Sequence, residues 1–124
     1  KPIPNNIFKL MKANLPGPFT FLLEAINNVP KIIHGKKKTV GIRVPDNKII
    51  TQIVHSLGHP IISTSVDDED GIVENCTDPE LIYEKYRNLV DIVIDGGYGG
   101  IEPSTILDCT GQEIEIIRQG KGIL

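Results

Sequence analysis

The chain has 124 residues, of which 40% are hydrophobic and 23% charged, with a formal net charge of -3. That length suits one domain with a modest core, and the slight acidity gives no global field favouring nucleic acid. No apolar run approaches the ~18 residues of a membrane helix, so no membrane is expected. The cysteines, Cys76 and Cys109, have no metal-ligand spacing and make no disulfide framework, so a reducing, cytoplasmic setting is expected. The chain opens at Lys1 with neither an initiator methionine nor a signal-peptide pattern, and an N-terminal part is expected to be missing.

Asn5 or Asn6 can cap a first helix whose apolar positions are Ile7, Leu10 and Met11, ending by Leu15 ahead of Pro16. In Pro16-Gly17-Pro18-Phe19-Thr20 the prolines fix φ and the glycine allows a tight turn, which delivers a threonine hydroxyl to the start of an apolar strand over 19–25. Asn27, Asn28 and Pro30 mark a turn, and Lys36-Lys37-Lys38 is a charge run in a loop, either solvated surface or a phosphate contact. A second strand over 39–44 ends at Pro45. Asp46 or Asn47 can cap a helix with Ile49, Ile50, Ile53, Val54 and Leu57 on one stripe and Gly58 at its stop.

Strands are predicted over 60–65 and 89–94. Between them lie an acidic loop, Asp67 to Asp70, and a helix opened by Asp78-Pro79, with Thr77 and Glu80 at capping-box spacing. The acidic loop lacks the ligand spacing of a calcium site and reads as a solvated turn. The Gly96 to Gly100 run reads as a structural turn rather than a phosphate cradle. Two final strands, 104–108 and 113–117, meet around Thr110-Gly111 as a hairpin. Helices alternating with strands, closed by a hairpin, predict an α/β fold with a mixed sheet.

His34, His55 and His59 are scattered, and no Walker loop or nucleophile-base pair can be asserted. What remains is polar residues at strand ends: Thr20, Arg43, Ser63, Ser65, Ser104 with Thr105, and Arg118. Arg43 lies in the apolar run Val40-Gly41-Ile42-Arg43-Val44 and, if buried, needs an anionic partner, an aspartate such as Asp108 or Asp95 or else a ligand phosphate or carboxylate. Hydroxyls and arginines without a nucleophile suit substrate positioning and charge stabilisation, as in phosphoryl or adenylyl transfer. Thr20, Arg43, Ser63, Ser65, Ser104 and Arg118 are expected to converge on one concave face.

Taken together, Pro16-Gly17-Pro18-Phe19-Thr20, Val40 to Pro45, Ser63-Thr64-Ser65, Pro103 to Asp108 and Ile117-Arg118-Gln119-Gly120 resemble the YrdC-like family, which includes threonylcarbamoyl-AMP synthase and the YciO proteins. The resemblance covers nearly the whole chain and implies a single YrdC-like domain over 1–124 lacking its N-terminal portion: a twisted mixed sheet with helices and a closing β-hairpin. The implied activity is a nucleotidyl transfer that combines L-threonine, bicarbonate and ATP, with Mg2+, into threonylcarbamoyl-AMP for modification of tRNA, and tRNA or double-stranded RNA is an implied partner. By motif, Thr20, Ser65 and Arg118 would contact the nucleotide, Ser63 and Ser104 would hold threonine, and Arg43 would organise the pocket floor. Asp67 is a departure, because the synthases usually read Ser-Ala-Asn where this chain has Ser65-Val66-Asp67. Glu24 stands where the family often has a basic residue. Both point toward the YciO-like branch, and the alternative reading is an RNA- or nucleotide-binding paralogue without synthase activity. The 124-residue chain alone is expected to be inactive as a synthase.

Overall fold

A computed structural model describes residues 2–26, 30 and 36–124. Its elements are α1 (Asn5–Asn14), β1 (Phe19–Glu24), β2 (Thr39–Ile42), α2 (Lys48–Leu57), α3 (Glu74–Thr77), α4 (Pro79–Tyr86), β3 (Thr105–Asp108) and β4 (Glu115–Arg118). The chain divides into two compact units, residues 1–61 with 103–124, and residues 62–102. The first unit carries a mixed sheet in the order β2-β1-β3-β4. β1 runs antiparallel to β2 and parallel to β3, and β3 and β4 form the closing antiparallel hairpin. The fold class is the α/β class expected from the helix-strand alternation.

Alternation along β1 divides the sheet's two faces. Phe19, Phe21 and Leu23 are buried, and Phe21 and Leu107 are fully enclosed. The Phe19 and Phe21 rings lie 6.2 Å apart, tilted by 39°. Leu10 and Met11 of α1 pack on this cluster with Leu15 and Cys109, and Ile7 of α1 is buried. Burial of a Phe or Leu side chain contributes about 1.5–3 kcal/mol, so this small cluster is a large share of a marginal total. Burial and the neighbouring Asp108 carboxylate push the Cys109 thiol above its ordinary range.

The turn before β1 is built as its prolines and glycine suggest. The Leu15–Pro16 peptide is cis. Gly17 is buried, its N–H bonds the Val44 carbonyl at 2.9 Å, and a Cβ there would run into the Asn14 carbonyl. Only glycine fits that approach.

Several expected details differ. Asn5 is the first helical residue of α1, behind Pro4, and no side chain caps that end. At α2 the choice between Asp46 and Asn47 is resolved: Asn47 Oδ1 accepts from the Ile49 and Ile50 N–H groups at 3.0 and 3.2 Å, and Gly58 closes the helix with φ 75°. The apolar stripe of α2 forms, but none of its residues is buried. At α4 the capping box does not form. Asp78 caps, accepting from Glu80 N–H at 3.0 Å, while the Thr77 hydroxyl donates to Val73 O.

The main correction concerns 60–65 and 89–94, both expected in the sheet. Neither is a strand among the described residues, and Ile62, Ile92 and Ile94 are exposed. A β-branched run becomes a strand only where a neighbour accepts its ladder, and the described residues of the second unit offer none. That unit holds α3 and α4 with the two turns read from the sequence. In the acidic loop Asp68 is the engaged residue. Ile72 N–H donates to its carboxylate at 2.8 Å, and with help from Asn75 and Lys85 this holds the carboxyl below its usual range. In the glycine run Gly97, with φ 87°, donates to Asp95 Oδ1, and Gly99 N–H donates to Thr77 O. His34 and the Asn27-Asn28 turn lie outside the described residues.

Two predictions follow from these local bonds. Asn47→Ala is expected to cost about 1 kcal/mol in urea unfolding, the ordinary value of an N-cap, while Asp46→Ala stays within about 0.5 kcal/mol. The second concerns acid. The Asp108 carboxyl is held below its usual range first by the Thr110 hydroxyl, at 2.6 Å, then by the Thr110 N–H, with Lys37 adding to both. A depressed folded value stabilises the fold above the unfolded value of about 3.9, and this contribution is lost as pH falls through the folded value. Chemical denaturation followed from about pH 5 down to about pH 2 should show a shallower acid loss of stability in Thr110→Val than in the parent.

Candidate functional site

The first unit brings three of the expected site residues together. Thr20 lies opposite Ile106 in the parallel β1–β3 pair, and Ile106 lies opposite Arg118 in the β3–β4 pair. Side-chain alternation therefore sets Thr20 and Arg118 on the face away from the phenylalanines, with Ser104 one pleat before Ile106 on that same face. The contacts agree. Thr20 Oγ1 and Ser104 Oγ share a hydrogen bond of 2.7 Å across 84 positions of sequence. Arg118 donates to the Ser104 carbonyl from Nε at 3.0 Å and from Nη2 at 2.8 Å, and Nη2 also reaches Ser104 Oγ at 3.2 Å. Ser104 is buried, Thr20 half-buried and Arg118 exposed.

The donor arithmetic defines what this group can bind. A guanidinium carries five N–H donors and no acceptor. The Ser104 contacts engage Nε and Nη2, and Nη1 has no partner among the described residues. Of the two hydroxyls, one proton is used in the Thr20–Ser104 bond, so the other remains to donate outward. The site thus offers a positive charge and a hydroxyl donor, which together suit a carboxylate or phosphate. It contains no carboxylate of its own, and therefore no anionic ligand for a magnesium ion. Nor does it contain a nucleophile-base pair: His59 bonds the Pro60 carbonyl. What such a group can supply is positioning and charge stabilisation.

The group sits at the amino ends of the parallel strands β1 and β3, beside the carboxyl end of antiparallel β4. Open α/β sheets usually gather ligands at carboxyl ends. Two surface hollows lie elsewhere. One, of about 430 Å³, is in the second unit beside Glu80, Glu84 and Asp95, and the other, of about 500 Å³, is at the hairpin beside Asp108, Glu113 and Glu115. Carboxylates in both would repel an anion, so the donor group, and not the hollows, is the candidate site.

The remaining expected residues are placed differently. Arg43 follows the end of β2 and is exposed, so the partner that a buried arginine would demand is not required. Ser63 and Ser65 belong to the second unit, on an exposed segment without regular structure. Asp67 is exposed there, and its main-chain carbonyl accepts from Lys85 Nζ at 3.4 Å. Sequence reading assigned no role to Thr105, Gln119, Gly120 or Gly122, all bonded around the site. The signal was the alternation of glycines after Arg118 and a second hydroxyl beside Ser104.

The Sua5/YciO/YrdC family model, described as "Telomere recombination", matches residues 1–120. YciO of Escherichia coli is 39% identical over 121 residues, 97% of this chain and 58% of its own length. The crystal structure of that protein superposes with a TM-score of 0.86 at 38% identity, covering 98% of this chain and 59% of the other. A threonylcarbamoyl-AMP synthase of Photorhabdus laumondii is 33% identical over 114 residues, 90% of this chain and 57% of its own. The crystal structure of P. abyssi Sua5 complexed with L-threonine matches with a TM-score of 0.79 at 28% identity, covering 97% of this chain and 35% of that one. The chain thus spans a little under three-fifths of the YciO and Photorhabdus proteins and about a third of the P. abyssi protein. With nearly its whole length matched by one family model, the chain belongs to the Sua5/YciO/YrdC family.

Proposed function

We propose that the Thr20–Ser104–Arg118 group is the ligand-holding part of a threonylcarbamoyl-AMP synthase-like site. The reaction joins L-threonine, bicarbonate and ATP into threonylcarbamoyl-AMP, with release of pyrophosphate and water, and the product serves tRNA modification. The observation that carries the reading is the set of unused donors on Arg118 and the hydroxyl pair, in a chain similar to threonylcarbamoyl-AMP synthases and to a Sua5 that binds L-threonine. An adenylyl transfer needs its acceptor and its phosphates held in line and their charge balanced, and a guanidinium with hydroxyl donors meets that need without a protein nucleophile. Ser104 is assigned to threonine, and Thr20 and Arg118 to the nucleotide. By family motif, Ser63 is assigned to threonine, Ser65 to ATP phosphate and Arg43 to the pocket floor. Magnesium enters as an ion carried by the ATP phosphates, since the donor group has no carboxylate for it.

Ser104→Ala tests this reading, because the main-chain carbonyl that accepts from Arg118 survives the substitution. A hydrogen bond to a charged group contributes about 1.5–3 kcal/mol, so calorimetric titration should show L-threonine bound roughly tenfold or more weakly by the variant. Equal affinity in a folded variant, or no binding by the parent chain, overturns the assignment.

A second reading is a YciO-like protein that binds nucleotide or RNA without synthase turnover. Asp67 favours it, and so does the higher identity to YciO, 39% against 33% for the Photorhabdus synthase. A carboxylate near triphosphate repels it by about 1 kcal/mol at contact distance in water. On this reading Asp67→Asn tightens ATP binding about fivefold at low magnesium and less when magnesium saturates the phosphates. Unchanged affinity at every magnesium level removes Asp67 from the phosphates. Pyrophosphate release that depends on both threonine and bicarbonate favours the first reading directly.

A further inference from the structure

Arg118 can act on a ligand only if its guanidinium is held in place, and its own exposure gives no packing to do this. We infer that Thr105 is the positioning residue of the site, fixing Arg118 through a clasp formed by Gln119 to Gly122. Thr105 lies opposite Phe19 in the β1–β3 pair, on the core face of the sheet, and is 1% exposed. It therefore touches no ligand held by Thr20, Ser104 and Arg118 on the other face. Its hydroxyl is committed in both directions: it donates to the Gly122 carbonyl at 2.7 Å and accepts from the Gly120 N–H at 3.0 Å.

These two bonds fold the chain after β4 over the starts of β1 and β3. Lys121 N–H donates to the Pro103 carbonyl at 2.9 Å, and Gln119 Nε2 donates to Gly122 O at 2.8 Å. The fit excludes side chains. A Cβ on Gly120 would stand 2.6 Å from the Ser104 carbonyl oxygen, and one on Gly122 would stand 2.7 Å from the Phe19 ring. The chain thus crosses from the ligand face at Arg118 to the core face at Gly122, and Thr105 is the side chain of β3 that bonds both clasp glycines. Arg118 is anchored on one side by its pairing with Ile106 and on the other by this clasp. The clasp also lies against Ser104, the residue to which the guanidinium bonds, so both ends of the Arg118–Ser104 contact are set by one buried hydroxyl.

Thr105→Val keeps the shape and removes both bonds, and Thr105→Ser restores the hydroxyl. The direct readout is hydrogen exchange of the Arg118 Nε–H by NMR, since that proton is bonded to the Ser104 carbonyl. Exchange in Thr105→Val should be faster by about tenfold or more, the usual effect of losing a buried bonded pair, and Thr105→Ser should return to within about threefold of the parent. Where Thr105→Val does not fold, the exposed Gln119→Ala, which removes another bond to Gly122 O, carries the test with an expected rise of about threefold. Unchanged Nε–H exchange in the folded variants overturns the inference, even if global stability falls. L-threonine affinity, which rests on the function proposed above, should weaken in parallel with exchange. Loss of Nε–H protection with no threonine binding by the parent would sink the proposed function and leave the positioning role standing.

Discussion

The parallel pairing of β1 with β3 is the constraint on which the rest of the first unit depends. It sets Phe19 opposite Thr105 and Thr20 opposite Ile106, and so builds the core on one face and the donor group on the other. The pairing closes over a long stretch of chain, including the whole of residues 62–102. Closure entropy grows only slowly with loop length, so that insertion adds little to the equilibrium cost. It weighs more on the folding rate, because non-local pairings must form before they are rewarded. The enclosed Phe21 and Leu107 face each other across this pair and supply the apolar gain that offsets the closure.

A polar group at strand ends is stable here because every buried demand is met nearby. Ser104 is buried, yet its hydroxyl and carbonyl are bonded by Thr20 and Arg118. Thr105 is buried, yet both hydrogen-bonding roles of its hydroxyl are filled by main chain. Among the described residues no buried side-chain polar atom lacks a partner. The two faces therefore divide the work: the hydroxyl that faces the core serves geometry, and the hydroxyl pair that faces away keeps one proton to donate outward. An exposed guanidinium bonded to a buried carbonyl has its position set without losing its charge to a protein carboxylate.

Much of this was legible from residue order. The prolines around Gly17, the apolar run from Phe19 to Leu23, and the Thr110-Gly111 turn each act within a few residues, so local chemistry was enough to place β1 and the closing hairpin. Thr20, Ser104 and Arg118 stood out as polar residues at the ends of apolar runs, and pairing brought them together. The failures have a common cause. Residues 60–65 and 89–94 carry strand-forming side chains, but strand formation is decided by a partner, which periodicity does not report. Arg43 looked buried because its neighbours are apolar, yet it falls just past the end of β2, where apolar neighbours no longer enclose it. Thr105 stood among the polar strand-end residues but received no role, because burial of a hydroxyl against a distant glycine segment leaves no local pattern.

Charge places the final limit on what the donor group can do. The chain is acidic overall, and the hairpin beside it gathers Asp108, Glu113 and Glu115. A general attraction for anions is therefore absent, and an anionic ligand must be drawn by short-range contacts. Affinity should then depend on how well the Arg118 guanidinium and the Ser104 hydroxyl are held, because geometry has to supply what the net field does not. A loosely held arginine would lose ordering entropy each time it bound, whereas one already bonded to Ser104 has its orientation set beforehand. The clasp thus bears on function through preorganisation, even though the Thr105 hydroxyl that holds it lies on the core face.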